Sequence, residues 1–320
     1  MAAYTTIDNP GEYFNTVLYS GNNTAQAVAG VGFQPDWVWL KERNGTEQHN
    51  LYDSVRGVYK RLMSDGTNAE YSSDTQLTAF GSDGFSVGSS DAINDAGNSM
   101  VAWNWKKSAT PGFDIVTATG TGSAKTIAHS LSAVPHVIIS KEKSGSVNDW
   151  VMYHESLGNT KKVILNEPNA VSTDSCWNNT TPTSSVFSVS GASVVNRNSS
   201  TYVYYLFSEK KGYSKFGSFV SNNTSDNAFI YTGFKPAFLI AKSTTSANNW
   251  VMFDNTRNTF NPVDKKLYPD LGNAEDTEAD WDFLSNGLKL RAGAGANTFI
   301  YAVFAESPFV TSTGIPGTAR

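Results

Sequence analysis

A single cysteine, Cys176, stands among 320 residues, so neither an intramolecular disulfide nor a cysteine-built zinc site is available to the chain. Histidine is almost as scarce: four residues, scattered, with none of the spacings that hold a metal. Charged residues make up only 17% and leave a net charge of −5. Lysine and arginine are dispersed rather than gathered into a patch, which argues against nucleic acid as a partner. No run approaches the roughly 18 apolar residues of a membrane-crossing helix, so no membrane insertion is expected. The opening MAAYTTIDNP lacks the basic and apolar parts of a secretory leader, which predicts a chain made and folded in a cytoplasm. Helical periodicity is missing too, since nowhere does it last beyond a turn or two.

What fills the chain instead is aromatic residues (12%) set among Ser, Thr, Asn and Gly. These small polar residues serve turns better than helix interiors, and the large hydrophobes recur along nearly the whole length. The composition is that of a folded β-protein with many turns.

The chain also repeats itself. GFQPDWVWLKER around Pro35, SAVPHVIISKEK around Pro135 and GFKPAFLIAKST around Pro236 align, with the prolines 100 and 101 residues apart. A lysine closes each apolar run: Lys41, Lys141 and Lys242. Three more blocks follow in the same order each time. They are NLYDSVRG, WVMYHESLG and WVMFDNTRN; then FGSDGFSVG, SSVFSVSG and FLSNGLKLRAG; then VAWNWKK, YYLFSEKK and YAVFAESP.

Short β-branched or aromatic runs bounded by turn residues read as strands, and Asp-Gly or Asn-Gly between apolar residues marks hairpins. Six to eight strands fit each unit of about 100 residues. The fold class expected is therefore all-β: three tandem divergent β-sandwiches, jelly-roll-like, with small closed barrels as the alternative. The expected division is an arm at 1–12, units at 13–110, 111–212 and 213–310, and a second arm at 311–320. The joints SATPG and KKGYS are short, which predicts units that pack together rather than swing.

Candidate chemistry is sparse. ATGTGSAKT (118–126) lacks the spacing of a phosphate-binding loop and aligns with YSGNNTAQ and FVSNNTSD, so a hairpin turn is expected. His154 falls at the repeat position of Asp53 and Asp254, where a turn-closing role is expected over a general base. In NAEDTEADWD, the carboxylates of Glu275, Asp276, Glu278 and Asp280 are the one candidate metal site. Calcium favours such oxygen ligands, although the spacing fits no EF-hand and a solvated acidic loop is the default. Most of the eight tryptophans sit in the repeated strand blocks and read as packing residues. Trp177, in the polar loop TDSCWNNTTPT that breaks the repeat, is the candidate for an exposed ligand contact. No nucleophile elbow or zinc-protease motif is present, and no enzyme is expected.

YSGNNTAQAVAGVGFQPDWVWLKER, DFLSNGLKLRAG, FIYAVFAESPFV and the ending TSTGIPGTAR resemble a triple-repeat virion protein family of marine tailed bacteriophages. The resemblance covers essentially the whole chain and is strongest over the first and last 45 residues. It implies a virion protein: a tail fibre, another tail appendage or a capsid-surface protein, with other virion proteins as partners and no cofactor. The absence of heptads favours a compact decoration or appendage over a fibre shaft. A carbohydrate-binding module recognising host surface glycan is the alternative, and a polysaccharide depolymerase a weaker one. A homo-trimer, and three tandem units imitating a trimer within one chain, both stay open.

Overall fold

The structure is a computed structural model and describes residues 4–145 and 148–317. It is all-β, built from antiparallel sheets. A first lobe runs through β1 (Phe14–Ser20), β2 (Gln26–Ala29), β3 (Trp37–Glu42), β4 (Asn50–Asp53), β5 (Lys60–Arg61), β6 (Tyr71–Ser72), β7 (Leu77–Gly81), β8 (Gly84–Val87), the helical turn α1 (Asp91–Asn94) and β9 (Ser99–Trp105). A second comprises β10 (Phe113–Thr119), β11 (Lys125–Ala128), β12 (Val137–Glu142), β13 (Val151–His154), β14 (Lys161–Ile164), β15 (Ser172–Thr173), β16 (Val186–Val189), the turn α2 (Ser193–Asn196) and β17 (Thr201–Phe207). The third comprises β18 (Ser214–Val220), β19 (Phe229–Tyr231), β20 (Phe234–Ser243), β21 (Val251–Asp254), β22 (Val263–Lys266), β23 (Asp276–Leu284), β24 (Gly287–Leu290) and β25 (Thr298–Pro308).

Each lobe has an inner sheet with the same strand order: β1-β9-β3-β4, β10-β17-β12-β13 (carried on by β14 and β15), and β18-β25-β20-β21. The registers match as well. Trp37 faces Trp105, Val137 faces Phe207 and Phe238 faces Phe304. A smaller outer sheet covers each: β2-β8-β7, β11-β16 and β19-β24-β23-β22.

The inner sheets are buried on both faces, and this sets the architecture. Along β3, Val38 and Leu40 point into the core under the first outer sheet, while Trp37 and Trp39 point the other way. Along β17, Tyr202, Tyr204 and Leu206 fill the second lobe's own core, and Val203, Tyr205 and Phe207 face away from it. In β25, Tyr301 and Val303 alternate in the same manner with Ile300 and Phe304. The faces turned away meet each other in one common core drawn from all three lobes. Double burial is why runs such as WVWL are continuously apolar rather than alternating. The lobes are thus sandwiches arranged as a three-sided prism, rather than separate beads.

The common core is layered. One end is aromatic: Trp105 packs on Trp37, Phe113 stacks on Phe207 at 4.5 Å, and Phe14 stacks on Phe304 at 5.3 Å. Continuing the alternation of Trp37 and Trp39 towards the other end reaches Lys41, and likewise Lys141 and Lys242; all three are fully buried. The segment 4–12, expected as an arm, instead packs on the body. Ile7 enters the common core and the Thr5 hydroxyl donates to the Lys211 carbonyl at 2.8 Å. Beyond β25, Val310 bridges Pro316, and the Ser312 amide donates to Asp8 at 2.6 Å.

Candidate functional site: lobe junctions and surface grooves

At each junction the same chain positions meet. Trp150 Nε1 of the second lobe donates to the Met63 carbonyl of the first at 2.7 Å. Trp250 Nε1 of the third donates to the Ile164 carbonyl of the second at 2.8 Å. At the matching place the first lobe has His49, whose Nε2 lies 2.9 Å from the Tyr268 carbonyl of the third. Trp39 Nε1 donates to His49 Nδ1 at 2.8 Å, so Nε2 carries the hydrogen. The three contacts run in one sense around the prism and close a ring.

A second ring lies beside it. The Tyr205 hydroxyl donates to Asp53 at 2.7 Å, and Trp103 Nε1 donates to Asp254 at 3.0 Å. Both aspartates are fully buried, and each is paired with a buried arginine, Arg56 and Arg257, three residues on. The second lobe carries His154 where these aspartates stand. Its Nδ1 accepts from the Ser156 amide, and its Nε2 lies 3.2 Å from the Tyr301 carbonyl. The reason is sterically plain. Ala302 holds the register place that Trp103 and Tyr205 fill in the other lobes, so no side-chain donor is offered there. The missing bulk leaves a cavity of about 40 Å³ lined by Ala302, His154, Tyr301, Met152 and Ile240. Burial pushes the His154 imidazole down to about 4 and the His49 imidazole well below its usual range, so both are neutral near pH 7.

The three buried lysines tie down loops. Lys41 Nζ donates to the Glu42 carbonyl at 2.6 Å and to that of Gly45 in the following loop at 3.2 Å, Lys141 Nζ to that of Thr67 at 2.7 Å, and Lys242 Nζ to that of Ser243 at 2.7 Å and of Ser246 in the following loop at 3.4 Å. Burial pushes each ammonium down to about 8. Burial also raises the nearby carboxyls of Asp65, to about 6, and Asp270, to about 7. Their Oδ1 atoms accept from the His49 and Trp250 amides.

The structure corrects both sequence-derived sites. Trp177 is 1% exposed and lies edge-on to Tyr153 in the second lobe's core. The second outer sheet has only two strands, and the loop holding Cys176 and Trp177 takes the place of a third. The Ser190 amide donates to the Cys176 carbonyl just as the Gly88 amide donates to that of Gln76, before β7. Trp177 therefore occupies the core position that Leu77 has in the first lobe. Burial pushes the Cys176 thiol up to about 12, the opposite of what a nucleophile needs.

The four acidic residues do not converge on a metal. Glu275 accepts from Arg43 at 2.9 Å and from Arg257 at 3.1 Å, and these guanidinium groups hold its carboxyl below the usual range against the opposing effect of burial. Asp276 accepts from the Tyr268 hydroxyl, Glu278 pairs with Lys266, and Asp280 lies 4.0 Å from the same lysine. Among the described residues no group of three or more His, Cys, Asp and Glu could hold a metal ion. The signals missed were the basic partners: Arg43 lies 232 residues from Glu275 in sequence, and Arg257 and Lys266 lie on the preceding strands and turns. The segment 118–126 joins β10 to β11, where β1 joins β2 and β18 joins β19.

Two surface features have no counterpart in the sequence reading. Phe260 is 84% exposed, beside a polar hollow of about 400 Å³ bordered by Asn255, Asn258, Lys235 and Glu306. A second groove, of about 390 Å³, opens along the third lobe between its two sheets, with Phe219, Trp281 and Phe299 among its walls.

Residues 9–308 match the family model described as a domain of unknown function (DUF7483). No curated protein matches the chain.

Proposed function

The chain belongs to this DUF7483 family, and we propose that it is a non-enzymatic bacteriophage virion protein carried on the particle surface and acting through protein–protein contacts. The observation that carries this reading is the doubly ringed prism. Its buried histidines, aspartates, arginines and lysines are engaged in joining lobes and pinning loops. Neither His154 nor Cys176 is poised for acid–base or nucleophilic work: His154 is held neutral with both nitrogens engaged, and Cys176 is buried as a thiol. Three lobes closed around one common core suit a capsid decoration or compact tail appendage. The resemblance of GFQPDWVWLKER and FIYAVFAESPFV to phage virion proteins supports the same reading.

Mass spectrometry and cryo-electron microscopy of purified phage particles encoding the chain test it. Stoichiometric protein and three-lobed density on the particle are expected. Density on the capsid lattice would make it a decoration protein, and density at the tail an appendage. Particles free of the protein would refute the proposal. Glycan recognition at the tail tip is the second reading, and Phe260 is what favours it. An exposed ring beside Asn255, Asn258 and Glu306 offers a face for a sugar with amide and carboxylate partners around it. Loss of host-polysaccharide binding on Phe260→Ala would support that reading, and an absence of binding by the unaltered chain would remove it.

A further inference from the structure

Between the last strand of the outer sheet and the closing strand of the inner sheet, the first two lobes each use eleven residues, 88–98 and 190–200. The third crosses the same gap in seven, 291–297. What is missing amounts to one helical turn. In the first lobe α1 lies on β3, with Ile93 in the core and its carbonyl accepting from the Tyr19 hydroxyl at 2.6 Å. In the second lobe α2 lies on β12, with Val195 in the core and its carbonyl accepting from the Tyr204 hydroxyl at 2.7 Å. The third lobe has RAGAGAN instead, a glycine-rich segment that forms no helix and sets only Ala292 and Ala294 against the core. Glycine disfavours a helical turn, and two alanines cannot replace the bulk of Ile93 or Val195. The place of the turn is therefore open: it is the groove of about 390 Å³, floored by Ala241 of β20 and walled by Phe219, Trp281 and Phe299.

We infer that this groove is a docking site for a short turn of another polypeptide, one that presents a β-branched apolar residue followed closely by a basic one. The two sibling lobes supply the template for the apolar part, since both fill this place with Ile or Val on one helical turn. The rim supplies the charge preference: Glu278 and Asp280 stand against the single ammonium of Lys266. The turn of α2 itself carries this pattern, with Val194 and Val195 followed by Arg197. The inference goes beyond the virion reading and does not depend on it.

The probe is a blocked peptide of residues 190–199, SGASVVNRNS, titrated onto the full chain carrying labelled alanine methyl groups. Ala241, Ala292 and Ala294 then report on the groove by NMR. Saturable shifts confined to these methyls, with a dissociation constant on the order of 1 mM, are expected for so small a ligand. Glu278→Lys should weaken binding several-fold. A chimera in which 190–200 replaces 291–297 should lose binding, because its own turn closes the groove. Failure of the wild-type chain to respond at saturating peptide would overturn the inference, as would shifts caused by cellopentaose and not by the peptide, which would make this a sugar site. If the chimera does not fold, Glu278→Lys alone decides: equal affinity for the peptide would overturn the charge argument and the proposal with it.

Discussion

Replacing Tyr205 by Phe removes one oxygen from the middle of the molecule and leaves the ring where it is. That ring stacks on Trp37 at 4.6 Å and lies beside Trp150. Its hydroxyl donates at 2.7 Å to Asp53, across the junction between the second and first lobes, with both partners fully buried. Asp53 keeps its pairing with Arg56, so the variant loses one hydrogen bond to a charged acceptor, about 1.5–3 kcal/mol. At about 2.1 cal/mol/K of unfolding entropy per residue, the 320-residue chain should melt about 2–5 °C lower. Urea denaturation and calorimetry read this directly. Tyr71→Phe, at an exposed site, serves as the control and should stay within about 0.5 kcal/mol of wild type. Since the three inner sheets share one core, the variant should shift a single cooperative transition. Two results would refute the reasoning: a Tyr205→Phe protein as stable as the control, or resolved transitions of which only one moves.

Acid should weaken the fold through His154. From its ordinary value of 6.5 down to about 4, the unfolded chain binds a proton that the folded chain refuses, so stability falls with pH across that window. The loss is on the order of 3 kcal/mol. His154→Asn should be less stable at pH 7 and show a shallower acid slope than wild type in denaturant titrations; His49 acts in the same sense as His154, and the raised carboxyls of Asp65 and Asp270 act in the opposite sense in both proteins. Ala302→Val should fill part of the cavity of about 40 Å³ and raise stability by about 1 kcal/mol; a lower melting temperature would mean that the cavity walls cannot accommodate two methyl groups. Trp177→Ala should cost about 3–5 kcal/mol, as a core truncation does, and equilibrium unfolding that finds it neutral would return the residue to the surface.

The fold class was legible because its signals are local. Asp-Gly before Phe85 and Asn-Gly before Leu288 mark hairpins, and each falls between paired strands, β7 with β8 and β23 with β24. The common core was legible only in part. WVWL and VII run apolar without alternation, which is what a strand buried on both faces requires, yet such a run does not say what covers its second face. Trp177 was hidden by its neighbours. Ser, Asp, Asn and Thr surround it as they would an exposed loop, and twelve residues separate it from Val189 where ten separate Leu77 from Val87, so the correspondence slips. The acidic stretch misled for a different reason. Arg43, which neutralises Glu275, lies 232 residues away, and no local pattern can announce a partner at that distance. The two rings of junction contacts were equally silent, because four of their six acceptors are backbone carbonyls that any residue could supply.

Closing the prism from one chain has a consequence for how it behaves on dilution. A three-sided body assembled from separate copies falls apart as concentration drops, since its folded state is a product of association. Here the partners at every junction are tethered within the same molecule, so folding is a first-order event and the melting temperature of an isolated chain should be the same at nanomolar as at micromolar concentration. Tethering also frees the three sides from having to be alike. A substitution in a true trimer appears three times at once, whereas Ala302, His154 and the shortened 291–297 segment each occur on one side only. The body can therefore remain close to threefold in outline while giving one side a distinct surface, and whatever threefold or non-threefold place it occupies, it has a single defined orientation about its own axis.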